Sequence, residues 1–160
     1  MNPLYEENQR PFTEPCIVVF FGATGDLSLR KLFPALLHRY LDGQIPPQSR
    51  IIGAARSDLD TETFRKMVHE SRGRFAPGAC VDEAKCAEFL SHVHYARVDA
   101  TAPAGEWSAL NQALANGNGN VRIFYLSTAP NLFVTIAQRL AETGLATSDS
   151  RIVLEKPIGR

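Results

Sequence analysis

The stretch IVVFFGATGDLSLRK, Ile17 to Lys31, decides how this chain is read. Apolar β-formers run into two glycines three apart, and an amphipathic pattern starts at once. That order predicts a buried strand, a tight turn and a helix. Glycines reach backbone torsions closed to other residues and let a ligand approach the main chain. The helix start points unpaired N–H groups, and the positive end of its dipole, into the same space, which suits a phosphate. The pattern is Gly22, Ala23, Thr24, Gly25, Asp26, Leu27, a G-x-x-G and not the full G-x-G-x-x-G. Its position between strand and helix is what makes it informative. Thr24 and Ser28 can add hydroxyl donors. A ligand-free turn would use the same glycines, so the neighbouring strand ends have to decide. No G-x-x-x-x-G-K-[S/T] occurs in the chain, which excludes a Walker loop.

Outward from this stretch, apolar runs alternate with helical patterns. CIVVFFG, RIIGAAR, HVHYARVDA, VRIFYLST and SRIVLEKP read as five strands. From Leu29, apolar residues at Leu32, Phe33, Leu36, Leu37, Tyr40 and Leu41 follow helix spacing, and Gly43 supplies the stop. Pro34 falls inside that helix and should kink it or shorten its first turn. SDLDTETFRKMVHESRG predicts a second helix capped by Asp60 or Thr61. Shorter helices are expected near Glu83 to Leu90 and around Trp107, Leu110 and Leu114. Pro130 opens a helix with an apolar face of Leu132, Phe133, Ile136, Ala137 and Leu140, closed by Gly144. The alternation predicts an α/β chain: a Rossmann-type, doubly wound, mostly parallel sheet in three αβα layers. It would occupy residues 16–160 as one domain, behind a flexible lead-in over residues 1–15. Such sheets bind ligands beyond the carboxyl ends of their strands.

The bulk composition narrows the partners. The chain has 160 residues, 44% hydrophobic and 21% charged, in the range of an ordinary globular protein. A formal net charge of zero gives no support for nucleic acid or an anionic membrane surface as the main partner. No apolar run approaches the roughly 20 residues of a membrane helix. Cys16, Cys80 and Cys86 make an odd number without a C-x-x-C, which argues against a disulfide framework and for a reducing, cytoplasmic setting. His92 and His94 share one face of a strand but have no further ligand cluster nearby. They read as a half-exposed strand edge, and no metal is expected.

The strand ends carry the specificity. After the second strand a dinucleotide fold that prefers NAD usually presents Asp or Glu to the ribose hydroxyls. Here Arg56 and Ser57 take that place, and a guanidinium fork matches a 2′-phosphate that a carboxylate would repel. NADP is therefore the expected cofactor. Asp58, two residues on, could still serve a ribose, and Arg56 could be a plain solvated charge. Asp99 and Ala100 follow the third strand, where an adenosine could lie. Thr128, Ala129 and Pro130 follow the fourth, where small residues would let the ribose and nicotinamide side pass closely. After the fifth comes EKPIG. Lys156 would face the crevice there, and Pro157 biases it toward an extended backbone.

FFGATGDLSLRKLFPAL, GAARS, IFYLSTAP and IVLEKPIGR, in this order, closely resemble the amino-terminal coenzyme domain of the glucose-6-phosphate dehydrogenase family. The likeness runs from about Cys16 to Arg160, and the pairing of GDL-x-x-x-K with a later EKPxG is its most specific part. STAPN departs from the double proline often found there. The resemblance implies NADP-dependent oxidation of glucose 6-phosphate at carbon 1, giving 6-phosphogluconolactone and NADPH in the pentose phosphate pathway. It implies that residues 22–27 hold the pyrophosphate, and that Arg56 and Ser57 hold the 2′-phosphate. Lys31 would assist substrate binding, and Lys156 would contact substrate and cofactor. The implied partner is glucose 6-phosphate, with a homo-oligomeric full-length enzyme. The family's general base is a histidine of a second domain, in an R-I-D-H-Y-L-G-K-E-like segment without counterpart here. The expectation is a fragment, inactive alone and containing no catalytic residue, because proton removal needs a base within hydrogen-bond reach.

Two other classes compete. Short-chain dehydrogenases and epimerases need a tyrosine with a lysine four residues on. Tyr5, Tyr40, Tyr95 and Tyr125 are followed at that distance by Gln9, Gln44, Asp99 and Ala129, which sets the class aside. A non-catalytic NADP-binding redox-sensor module remains the alternative.

Overall fold

A computed structural model describes residues 16–46, 48–75, 83–115, 121–148 and 150–154. Five parallel strands form one sheet: β1 (Cys16–Phe21), β2 (Arg50–Ala55), β3 (Val93–Arg97), β4 (Val121–Leu126) and β5 (Arg151–Leu154). Their order across the sheet is β3-β2-β1-β4-β5. The helices are α1 (Phe33–Leu41), α2 (Thr61–Phe75), α3 (Glu83–Ser91), α4 (Ser108–Ala115) and α5 (Phe133–Glu142). This is the Rossmann-type arrangement expected from the alternation of strands and helices. The predicted lead-in, residues 1–15, lies outside the described residues, as do Lys156 and Pro157.

Strand alternation splits the core in two. Ile17, Val19 and Phe21 of β1 join Phe124, Leu126, Trp107, Leu110, Leu114, Ile136 and Leu140 in one buried cluster, against α4 and α5. Phe20, on the opposite face, joins Ile51, Phe33, Leu37, Phe64, Val68 and Phe89, against α1, α2 and α3. Side chains two apart share a face of a strand, so β1 feeds both layers and sits at the centre of the sheet. Each fully buried Phe, Leu or Ile of this set adds about 1.5–3 kcal/mol of transfer free energy. Trp107 lies under the first layer with its ring 5.5 Å from that of Phe21. Its indole Nε1 is buried with no hydrogen-bond partner among the described residues.

Pro34 acts on the first helix in a particular way. Without an amide it cannot donate to Arg30 O, and its ring crowds that carbonyl. The chain responds by widening: Ser28–Leu32 is a π-helix, and Phe33 N–H donates to Ser28 O, five residues back. Pro34 then occupies the first turn of α1, where no intrahelical donor is required. At α2, Asp60 is the cap, its Oδ1 accepting from Thr63 N–H at 2.7 Å.

One cysteine reading needs correction. Cys86, buried on α3, is disulfide-bonded, against the expectation from cysteine count and spacing. Cys16 is a free, buried cysteine. Cysteine usage therefore lends no weight to a reducing compartment.

β3 is an edge strand, and His94 on it is half-buried. Burial, with Arg50, Arg65 and His92 adding repulsion, pushes its imidazole from 6.5 down to about 4. An unfolded chain binds a proton at this residue below pH 6.5, while the folded chain does not until about pH 4. Stability is therefore complete above the higher value and falls as pH drops through the interval. The unscreened shift corresponds to about 3 kcal/mol, which solvent at the exposed side of the ring reduces to roughly 1–2 kcal/mol. His94→Gln is expected to flatten the decline in urea midpoint between about pH 7 and pH 4.5. An unaltered decline in the variant would assign the acid sensitivity to other groups.

Candidate functional site

The sheet's strand order reverses between β1 and β4, and a cleft of about 400 Å³ opens at the carboxyl ends of the strands there. Clefts of this size accommodate small ligands and cofactors. Its walls include Gly22, Thr24 and Gly25 after β1, and Arg56 and Ser57 after β2. Asp99 and Ala100 after β3 and Thr128 after β4 also line it. Eight of the predicted residues thus meet in one space.

The loop after β1 is fixed by its own hydrogen bonds. Gly22 N–H and Ala23 N–H both donate to Ala54 O on β2, at 2.9 and 3.3 Å. Gly25 N–H closes a turn onto Gly22 O at 3.0 Å, and the buried Ser28 hydroxyl donates to the same carbonyl at 3.0 Å. Leu29 N–H then bonds Gly25 O, which opens the helical run. The amides of Asp26, Leu27 and Ser28 fall in that first turn and have no intrahelical acceptor. These donors, at the positive end of the helical run, suit an anionic group. Gly22 has φ +81°, and a Cβ there would lie 2.1 Å from Ser127 O. This close approach of the β1 and β4 loops shapes the floor of the cleft.

The loop after β2 is braced from β3. Tyr95 Oη–H faces Ser57 O at 2.6 Å and Ala55 O at 3.0 Å, and Arg97 Nε–H donates to Arg56 O at 3.1 Å. Asp99 Oδ1 accepts from the Thr101 hydroxyl at 2.7 Å and the Thr101 amide at 2.9 Å. Those bonds, with the charge of Arg56 nearby, hold its carboxyl below the usual range. The cleft mouth therefore carries a guanidinium beside an ionised, partly satisfied carboxylate.

The other predicted residues are placed differently. Ala23 is buried beneath the loop. Asp26 is exposed and pairs with Arg30 at 3.5 Å, and Leu27 lies at the helix start. Ala129 and Pro130 are exposed where a 3-10 turn, Pro130–Leu132, precedes α5, and Leu132 supplies the cleft wall in their place. Lys31 is exposed on the π-helix and does not line the cleft. Lys156 lies outside the described residues. Sequence reasoning missed Thr101, Ser127, Tyr95 and Arg97. D-x-T is a local turn signal that could have found Thr101, whereas no sequence pattern marks the β3 brace.

A parallel sheet of this order, with a glycine turn and free helix amides at its switch point, defines a Rossmann-type dinucleotide-binding domain. The family model for glucose-6-phosphate dehydrogenase, NAD binding domain, matches residues 19–160. The chain belongs to this family. A glucose-6-phosphate 1-dehydrogenase of Gluconobacter oxydans is 42% identical over 147 residues, covering 91% of this chain and 30% of the relative. One from Mycolicibacterium smegmatis is 42% identical over 151 residues, covering 92% and 30%. A solved glucose-6-phosphate dehydrogenase in complex with its substrate glucose-6-phosphate is 35% identical, with TM-score 0.76 over 94% of this chain and 32% of that one. The enzyme from Mycobacterium avium superposes with TM-score 0.78 at 28% identity, covering 91% and 30%. The chain thus spans about a third of the length of its relatives. No helix among the described residues is long and apolar enough to cross a membrane.

Proposed function

We propose that the cleft binds NADP, and that the chain is the coenzyme-binding part of an enzyme oxidising glucose 6-phosphate at carbon 1 to 6-phosphogluconolactone. The observation that carries this is the convergence of the glycine turn with Arg56 and Ser57 on one cleft. The first-turn amides, with Thr24, receive the pyrophosphate, and Arg56 and Ser57 receive the 2′-phosphate. Asp99 and Ala100 border the adenosine, and Thr128 lies along the path to the nicotinamide. A nicotinamide coenzyme held there would supply the hydride acceptor. Lys31 and Lys156 belong in this reading to the sugar phosphate, a dianion that needs cationic partners. Removing the sugar's proton needs a base within hydrogen-bond reach, a role this reading leaves to a part of the enzyme other than this cleft.

Calorimetric titration of the 160-residue chain is expected to show saturable NADP binding, tighter than NAD. With glucose 6-phosphate added, no NADPH should accumulate. Absent or equal binding of the two coenzymes would remove the assignment, and sustained turnover would remove the division of labour.

A further inference from the structure

Beyond the wall that would touch coenzyme lies a contact from β3 that no part of the reading above uses. Arg97 reaches back across β2: Nε–H donates to Arg56 O at 3.1 Å, and Nη1 stands 4.0 Å from Asp58 Oδ1. Arg97 does not itself line the cleft, whereas Arg56 and Ser57 do. Asp58 is the carboxylate that follows β2, its side chain 89% exposed. It stands one residue beyond Ser57, so it is, besides Asp99 of the cleft wall, a carboxylate able to repel a 2′-phosphate or to accept from unphosphorylated ribose hydroxyls.

Resting on the NADP reading, we infer that Arg97 is a positioning residue that sets preference for phosphorylated over unphosphorylated adenosine. It does so by fixing the Arg56 backbone and by turning the Asp58 carboxylate aside and neutralising it. Tyr95, on the same strand, holds the flanking carbonyls of Ala55 and Ser57, so the segment is restrained on both sides of Arg56. Once Arg97 is removed, Arg56 loses its backbone tether, and an unpaired negative charge is left beside the phosphate position. Both changes weaken NADP. The second change is neutral or helpful to NAD, so the two coenzymes should respond differently.

The test is titration of NADP and NAD into the wild type, Arg97→Ala, Asp58→Asn and the double variant, at low ionic strength where exposed charges act most strongly. Arg97→Ala is expected to weaken NADP about three- to tenfold, the range of one ordinary net hydrogen bond, because Arg97 acts through the loop and not on the phosphate, with NAD within about twofold. Adding Asp58→Asn should recover a large part of the NADP loss. Equal weakening of both coenzymes, no weakening, or no recovery in the double variant would overturn the inference. A wild type that does not prefer NADP would instead overturn the coenzyme assignment, before any variant is measured.

Discussion

Gly22→Ala is expected to destabilise the chain by about 3–5 kcal/mol and to abolish measurable coenzyme binding. Two effects combine at this position. The backbone sits at φ +81°, a torsion that L residues with a Cβ rarely adopt. The added carbon would also collide with a main-chain oxygen, Ser127 O at 2.1 Å, which cannot rotate away as a side chain could. Relief would require the β1 and β4 loops to separate, straining the bond from Ser127 N–H to Phe21 O that joins them and opening the cleft floor. Gly25→Ala is the natural contrast, because its torsion is ordinary and its new carbon would meet only Gly22 O at 3.1 Å. That variant should lose no more than about 1 kcal/mol. Urea denaturation of the pair separates the two glycines, and similar midpoints would refute the close-approach argument.

Arg56→Ala should weaken NADP by about 1.5–3 kcal/mol, some ten- to 150-fold, while leaving NAD nearly unaffected. The guanidinium stands at the cleft wall close enough to Asp99 to influence its carboxyl. That carboxylate already takes two hydrogen bonds from Thr101, so the arginine fork is not consumed by it. A phosphate dianion can then take both arms in the bidentate geometry that arginine favours. Arg56→Lys keeps the charge and loses the fork, and should fall between wild type and alanine. The loss should shrink as salt is raised, since the side chain is exposed. An unchanged ratio of NADP to NAD affinity in the alanine variant would show that another group reads the phosphate.

The sheet was legible because its signals are local and repeated. Ile17, Val19 and Phe21 alternate with Phe20 as a strand buried on both faces must, and Gly43 and Gly144 mark helix ends. The turn at Gly22 was equally readable, since a glycine between strand and helix has few other uses. The π-helix at Ser28–Leu32 was not, because Pro34 announces a disturbance without saying how the chain will absorb it. Tyr95 and Arg97 looked like ordinary strand residues. Their importance comes from the neighbour that parallel pairing gives them, β2 beside β3, and no local pattern carries that information. Thr128 reached the cleft while Ala129 and Pro130 did not, because the 3-10 turn swings the chain away and brings Leu132 inward. The cysteines misled for a related reason: odd count and missing motif describe spacing, whereas cross-linking depends on three-dimensional approach.

Trp107 is the single indole in the chain, and its ring lies 5.5 Å from that of Phe21, at a tilt of 41°, while Phe21 also lines the cleft. Sealed from solvent and lacking a proton acceptor among the described residues, it is a chromophore one ring away from the cleft. Its emission belongs to the blue end of the protein range, overlapping the absorption of a reduced nicotinamide. Filling of the cleft by a reduced nicotinamide is therefore expected to quench that emission in the unlabelled polypeptide, with no dye or engineered probe.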